Sequence, residues 1–348
     1  MTKQDIVRWD TLNMRKLLSE FPLQIENAVR LAKESRLPLV PRRVRNIVVT
    51  GLGGSAIGGD LVRSFVADEL AIPFIVNRHY FLPEFVDKHS LVIVSSYSGN
   101  TEETIAAHED AAKRKAQVLC ITSNGETERL AKRYRHPTII IPKGFPPRAA
   151  LGYSFFPLLV ALARLRLVKS KDKEIRETIG LLKEKSERYG SFNDNEAMRI
   201  ADQLYGKIPV VYSAAEWFDS VNLRWRGQFC ENAKVLAFGH VVPEMNHNEL
   251  VGWKVLKDQM KDTAVLFLRD RGIHPRVLVR MDIMKTIIAQ YTDTVVEVES
   301  EGTSLLARMF SLIYLGDWAS FYLAILNKVD PTPVKVIDYL KGELARVK

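Results

Sequence analysis

The run Gly51-Leu52-Gly53-Gly54-Ser55-Ala56-Ile57-Gly58-Gly59 places five glycines in nine positions, directly after the apolar stretch Asn46–Thr50. Glycines let a ligand approach the backbone closely, and Ser55 adds a hydroxyl among them. Formally the run contains GxGxxA, the dinucleotide fingerprint. The following strand should then end in an acid for the ribose, but it ends in Asn77 and Arg78, and no Walker lysine is present. A tight strand-to-helix turn without a ligand is the plain alternative. A second polar loop, Ser95-Ser96-Tyr97-Ser98-Gly99-Asn100-Thr101-Glu102-Glu103-Thr104, also leads from an apolar run into a helix. Ser96, Ser98 and Thr101 converge where the backbone N–H groups of a helix start point outward, a phosphate cradle that needs no lysine. Asn100 and Glu103 stand at capping-box spacing, yet a cap needs one polar side chain and this loop supplies several.

Four further segments carry reactive side chains. Arg148, in Pro146-Pro147-Arg148-Ala149-Ala150-Leu151-Gly152, sits in a stiff loop ahead of a helix. It can stabilise developing oxyanion charge, or it is an ordinary surface arginine. Glu231, in Phe229-Cys230-Glu231-Asn232-Ala233-Lys234, lies near the end of an amphipathic helix. A partly desolvated carboxylate there suits a general base; a surface glutamate is the competing reading. Gly239 to Leu250 concentrates His240, Glu244, His247 and Glu249 in a loop. His240, Glu244 and His247 offer three potential metal ligands, but the spacing is not HExxH and Pro243 interrupts any helix, so no metal site is expected; proton transfer by His247 is equally open. Lys341 stands beside the stripe Val334, Ile337, Leu340 and Leu344, which is expected to be buried, so a snorkelling lysine is the plain reading. The remaining histidines, including His108 and His136, each stand alone in the sequence.

The elements around these segments alternate. Apolar runs at 46–50, 72–76, 91–95, 117–122 and 138–142 read as strands, with helices at 60–70, 105–115 and 152–167 between or after them. A helical lead-in occupies 1–45, and charged residues 169–200 read as a connecting helix and linker. A second series follows, with strands at 208–212, 264–268 and 295–298 and helices at 216–231, 275–290, 305–326 and 334–347. This pattern predicts an α/β chain of two doubly wound domains with parallel sheets, plus N- and C-terminal helices. The expected boundaries are 1–168 and 201–348, with 169–200 as the connection. Ligand sites should lie at the carboxyl ends of the strands, near a switch in strand order.

The chain has 348 residues, enough for two cores. No apolar stretch is expected to reach the length of a membrane span, and the first residues lack a secretory h-region, so a cytoplasmic location is expected. Two cysteines, Cys120 and Cys230, outside any CxxC, speak against a disulfide framework. The formal net charge is +9, but the basic residues interleave with acids, as in LVKSKDKEIRETIGLLKEKSERYG. Together with the lack of a nucleic-acid fold signature, this favours an anionic small substrate over nucleic acid.

Taken in order, GLGGSAIGGD, SSYSGNTEET, PPRAALG, ENAKV, NHNEL and DPTPVKVIDYLK resemble the bifunctional phosphoglucose/phosphomannose isomerases, within the phosphoglucose isomerase superfamily. The resemblance extends over about residues 40–345. The glycine turn and SYSGNTE loop mark the wider sugar isomerase domain, whereas PRAALG, ENAK and NHNE are more specific. It implies two tandem sugar isomerase domains, a homodimer with composite active sites, no cofactor, and hexose 6-phosphates as substrates that pass through a cis-enediol. It implies that Ser55, Ser96, Ser98 and Thr101 hold the phosphate and that Gly54 lines the site. Glu231 would then move the proton between C1 and C2, and Arg148 would stabilise the enediolate. His247, from the partner subunit, and Lys341 would assist ring opening, with Lys335 as a nearby competitor for the lysine role. A non-catalytic sugar-phosphate sensor would keep the hydroxyl cradle but have no need of Glu231, Arg148 and His247. An NAD(P)-dependent oxidoreductase would need the ribose acid that this sequence lacks.

Overall fold

The computed structural model describes residues 1–37, 44–193 and 195–347. Residues 38–43 of the expected lead-in, Asp194 of the connecting segment, and Lys348 lie outside the described residues. Two all-parallel sheets organise the chain. The first comprises β1 (Asn46–Thr50), β2 (Phe74–Asn77), β3 (Ser90–Ser96), β4 (Gln117–Thr122) and β5 (Thr138–Ile140), in the order β2-β1-β3-β4-β5. The second comprises β6 (Ile208–Ala214), β7 (Phe238–Val242), β8 (Thr263–Arg269) and β9 (Val295–Glu299), in the order β7-β6-β8-β9.

Because strand side chains alternate between faces, the first sheet feeds two cores. Ile47, Val49, Leu91, Ile93, Leu119 and Ile121 join the large core that runs through both domains. Val48, Val92, Val94, Val118 and Cys120 enter a smaller one, closed by Ala107, Ala111 and Ala131 from two helices. The two domains are stitched by Asp219, which accepts from Ser64 Oγ at 2.8 Å and pairs with Arg63 at 2.8 Å.

Several expectations are revised. The first helix after β1 spans Gly54–Phe65 rather than starting at 60, so the later glycines lie inside it. They are required by close approach: a Cβ on Gly58 would come within 2.5 Å of Ser154 Oγ. Strand β2 begins at Phe74, after Pro73, which has no N–H for the ladder. The segment 239–250, read from sequence as loop, begins inside the edge strand β7. Gly239 and His240 break its apolar run, yet Gly239 packs so tightly that a Cβ would sit 2.2 Å from the Val211 carbonyl.

An apolar stretch of membrane-span length does exist: helix Leu305–Leu326, of 22 residues, is long and apolar enough to cross a bilayer. Its residues are almost entirely buried inside the fold, where it packs against the helices Asp172–Gly190, Glu196–Leu204 and Asp219–Gln228. The terminal stripe is also not buried. Helix Lys335–Leu344 has no buried residue, and Ile337, Leu340 and Leu344 of that stripe are exposed to 40%, 57% and 51%.

Candidate active site

Strand order reverses at β1, which is flanked by β2 on one side and β3 on the other. The glycine turn leaves the carboxyl end of β1, and the hydroxyl loop leaves the carboxyl end of β3, so the two loops meet beside the switch point. The backbone N–H of Tyr97 donates to Ser55 Oγ at 3.1 Å, fastening one loop to the other. Within the hydroxyl loop, the Gly99 N–H donates to Ser96 Oγ at 3.1 Å, and the Asn100 N–H to Ser98 Oγ at 3.3 Å. Ser55 and Ser96 are buried, whereas Ser98 faces solvent. Gly99 has φ +72°, and a Cβ there would lie 1.7 Å from the Asn124 carbonyl oxygen, so only glycine fits the bend. Thr101 precedes the twelve-residue helix Glu102–Lys113 and makes no side-chain cap bond. The N–H groups of that first turn stay available for an anion.

The same rim continues into the second domain. Gly54 lies against the short 3-10 turn Pro147–Ala149, where a Cβ would come within 2.5 Å of the Pro147 carbonyl. Arg148, the next residue, is only 3% exposed, so it is no surface arginine. Across from it, helix Asp219–Gln228 runs directly into a π-helical turn, Phe229–Ala233. Such widened turns shift side chains out of helical register and recur at functional sites. Here the turn presents Glu231 and Asn232 together: Arg148 Nη1 lies 3.4 Å from Glu231 Oε2, and Arg148 Nε donates to Asn232 Oδ1 at 2.6 Å. Arg148 Nη2 donates to the carbonyls of Pro331 and Thr332 in the turn before the terminal helix. The guanidinium is thus clamped at Nε and Nη2, and Nη1 faces the glutamate.

The clamp rests on a buried network. Asn232 Nδ2 donates to Ser320 Oγ at 2.9 Å, and Ser320 Oγ donates to the Asp317 carbonyl at 2.8 Å. The Asp317 carboxylate accepts from Arg224 Nη2 at 2.7 Å and from Gln228 Nε2 at 2.9 Å. Arg224 Nη2 also donates to the Arg148 carbonyl at 3.1 Å. Burial pushes the Asp317 carboxyl above its usual range, opposed by Arg224 and Gln228. Burial likewise pulls Arg148 below its ordinary value, opposed by the charge of Glu231. Losing one partner of such a pair strands an uncompensated charge. Glu231 keeps about a third of its side chain exposed, at 35%, leaving it open to a substrate.

Of the residues expected at the site, Ser55 is tied to the loop that carries Ser96, Ser98 and Thr101, Gly54 packs against the turn that carries Arg148, and Arg148 meets Glu231. His247 is exposed on the 3-10 turn after β7, and among the described residues no hydrogen bond or ion pair joins it to Glu231 or Arg148. Lys341 and Lys335 are exposed on the terminal helix, and among the described residues neither is hydrogen-bonded or ion-paired to the site. His240 and Glu244 are occupied locally: the Val241 N–H donates to His240 Nδ1 at 2.7 Å, and Asn248 Nδ2 to Glu244 Oε1 at 3.0 Å. After β2, Arg78 pairs with Asp60 and occupies the end of the strand where a ribose acid would be sought. Sequence reasoning missed Asn232, Arg224, Gln228, Ser320 and the two carbonyl clamps. One signal was available: Asp317 is the sole acid inside the apolar helix Leu305–Leu326, and a buried acid demands a partner.

The SIS domain family model matches residues 42–144. The model described as the bacterial phospho-glucose isomerase C-terminal SIS domain matches residues 193–344. A bifunctional phosphoglucose/phosphomannose isomerase of Caldicellulosiruptor bescii is 45% identical over 330 residues, covering 94% of this chain and 97% of that protein. Its counterpart from Aquifex aeolicus is 38% identical, covering 87% of this chain and 91% of that protein. Among solved structures, a hypothetical protein from Thermus thermophilus superposes with a TM-score of 0.73 at 15% identity, covering 99% of this chain and 93% of its own, a likeness of fold alone.

Proposed function

The chain belongs to the bifunctional phosphoglucose/phosphomannose isomerase family, and on that footing we propose how its residues share the reaction. It is an aldose–ketose isomerase that interconverts glucose 6-phosphate and mannose 6-phosphate with fructose 6-phosphate. The observation that carries the division of roles is the meeting of Arg148 and Glu231, from different domains, at 3.4 Å. Isomerisation moves a proton between C1 and C2 beside a carbonyl, so one base must return what it takes. Glu231, partly exposed on a rigid π-turn, takes the proton from C2 of the aldose as a carboxylate and returns it to C1 as a carboxylic acid. The electron pair left behind builds a cis-enediolate, and its oxygen charge falls beside the fixed Arg148 guanidinium. Rotation about C2–C3 in that intermediate lets the proton return to either face of C2, which yields both epimers.

The substrate phosphate sits on Ser55, Ser96, Ser98, Thr101 and the N-terminal turn of the helix Glu102–Lys113. A hydrogen bond to a charged group contributes about 1.5–3 kcal/mol, so Ser98→Ala with Thr101→Ala should raise the KM for fructose 6-phosphate at least roughly tenfold. Steady-state kinetics check this, and an unchanged KM would move the phosphate elsewhere.

Ring opening needs a further proton donor and acceptor, and we assign these roles to the partner subunit's His247 and to Lys341. A homodimer is supported by the apolar surface around β7, where Leu236, Phe238, Val251, Val255 and Leu256 are 55–81% exposed. Covering that surface with a second copy carries one protomer's 243–250 turns towards its neighbour. Lys341 acts from the terminal helix, which begins just beyond the Pro331–Thr332 clamp on Arg148 and whose exposed Val336, Tyr339 and Leu340 also await cover.

The decisive experiment incubates the purified, EDTA-treated protein with fructose 6-phosphate and assays glucose 6-phosphate and mannose 6-phosphate separately. Both products are expected. Glucose 6-phosphate alone would narrow the activity to one epimer, and neither product would move the reading to a sugar-phosphate sensor.

A further inference from the structure

His108 and His136, isolated in the sequence, are brought together with Cys120 in the small core on the far face of the first sheet. His108 Nε2 lies 2.9 Å from His136 Nδ1, and Cys120 Sγ lies 3.7 Å from His108 Nε2. All three donor atoms fall within 4.8 Å of one another. Each comes from a different element: helix Glu102–Lys113, β4, and the turn after helix Gly125–Tyr134. His108 and Cys120 are fully buried, and half-buried His136 lines the wall of an open groove of about 390 Å³ with Glu128, Lys132 and Thr138. The catalytic rim uses none of them.

We propose that His108 Nε2, His136 Nδ1 and Cys120 Sγ form a binding site for one Zn²⁺-class transition-metal ion, with a fourth position facing the groove at His136. Bonds of about 2.0–2.3 Å in a tetrahedral site set nitrogen and sulfur ligands roughly 3.3–3.7 Å apart. The sulfur–nitrogen separation of 3.7 Å meets that range, and the two imidazole nitrogens, 2.9 Å apart, part by only about 0.4 Å to admit the ion. A thiolate with two imidazoles is the donor set that favours zinc or copper over the oxygen-loving cations.

A second observation points the same way. His108 Nδ1 is buried without a partner, and so is Thr104 Oγ1, one turn earlier on the same helix. Metal on Nε2 requires the proton on Nδ1. Side chains four apart share a helix face, which puts Thr104 on the face that carries His108. Metal binding therefore fixes the proton on an orphaned buried nitrogen, the atom through which ligating histidines generally draw outer-layer support. Cys120 gives its proton to solvent as the metal–sulfur bond forms. No redox change is involved.

The test titrates the chelator-washed full-length protein with Co²⁺ and follows its visible and near-ultraviolet absorption. One Co²⁺ per chain, with the intense d–d bands of four-coordination and a thiolate-to-cobalt charge-transfer band, is expected, and Zn²⁺ should displace it. Cys120→Ser should lose the charge-transfer band and His136→Ala the stoichiometric binding, with isomerase activity retained in both as evidence of folding. If Cys120→Ser fails to fold, His136→Ala carries the comparison, because His136 is only half-buried. Zn²⁺ should also raise the Tm of the unaltered protein and not that of His136→Ala. Absence of the thiolate band, or a band that survives both substitutions, would overturn the proposal and leave a hydrogen-bonded histidine pair beside a buried thiol.

Discussion

Glu231→Gln is expected to lower kcat for fructose 6-phosphate by about 10²- to 10⁴-fold, the usual contribution of a positioned general base, while the dissociation constant for the substrate stays unchanged. The substitution is nearly isosteric on the π-turn, and the backbone carbonyl of residue 231 still accepts from Lys234 Nζ, so the turn keeps its shape. Nη1 of Arg148 loses an anionic neighbour 3.4 Å away, but its other donors remain bound to Asn232, Pro331 and Thr332. Two measurements separate chemistry from binding. Calorimetry reports substrate affinity, and deuterium wash-in from solvent at C1 and C2 reports proton transfer without net turnover. Loss of wash-in with binding intact assigns the base; loss of both would make Glu231 a binding residue instead. The same variant tests the composite site. Mixing Glu231→Gln with His247→Ala, each inactive alone, should restore activity, because one site in each mixed dimer regains both groups. No recovery after subunit exchange would return His247 to its own chain or remove it from the reaction.

Arg148→Lys is expected to cost about 10²- to 10³-fold in kcat, comparable with removing one preorganised donor from an oxyanion site, with little change in KM. Lysine keeps the charge but not the fork. The guanidinium donates through Nε to Asn232 and through Nη2 to the Pro331 and Thr332 carbonyls, and this leaves Nη1 facing Glu231. A single ammonium cannot hold those acceptors and the reacting oxygen together. Asn232 would be left with a buried, unpaired Oδ1. A lysine variant with near-normal kcat would mean that charge alone suffices and that the clamp is structural.

Much of the first domain was legible because its cues are local. Apolar runs ending in glycines or hydroxyls announce strands that deliver loops, and β1 and β3 with their loops lie where periodicity put them. Arg148 and Glu231 were harder. Each looks like a surface residue until the partner domain closes over it, and the π-turn that aims Glu231 leaves no trace in helical periodicity. The Asn232–Ser320–Asp317 chain joins residues some ninety positions apart, a separation that spacing cannot read. The terminal stripe failed for the opposite reason. Its 3-4 spacing is real, but amphipathicity states only that a face wants cover, not that the same chain supplies it. His108 and His136 read as solitary because strand pairing, not sequence proximity, brings the helix of one and the turn of the other around Cys120.

The clamp on Arg148 bears on how the protein comes into being at the ribosome. Domains fold roughly as they emerge, amino end first, so the five-stranded sheet with its glycine and hydroxyl loops comes before the four-stranded one. Its arginine nevertheless waits for Asn232 and for the carbonyls of Pro331 and Thr332, 183 and 184 positions further along the sequence. A nascent first domain therefore has its loops before its arginine is anchored, and the meeting of Arg148 with Glu231 comes only once the second domain has followed.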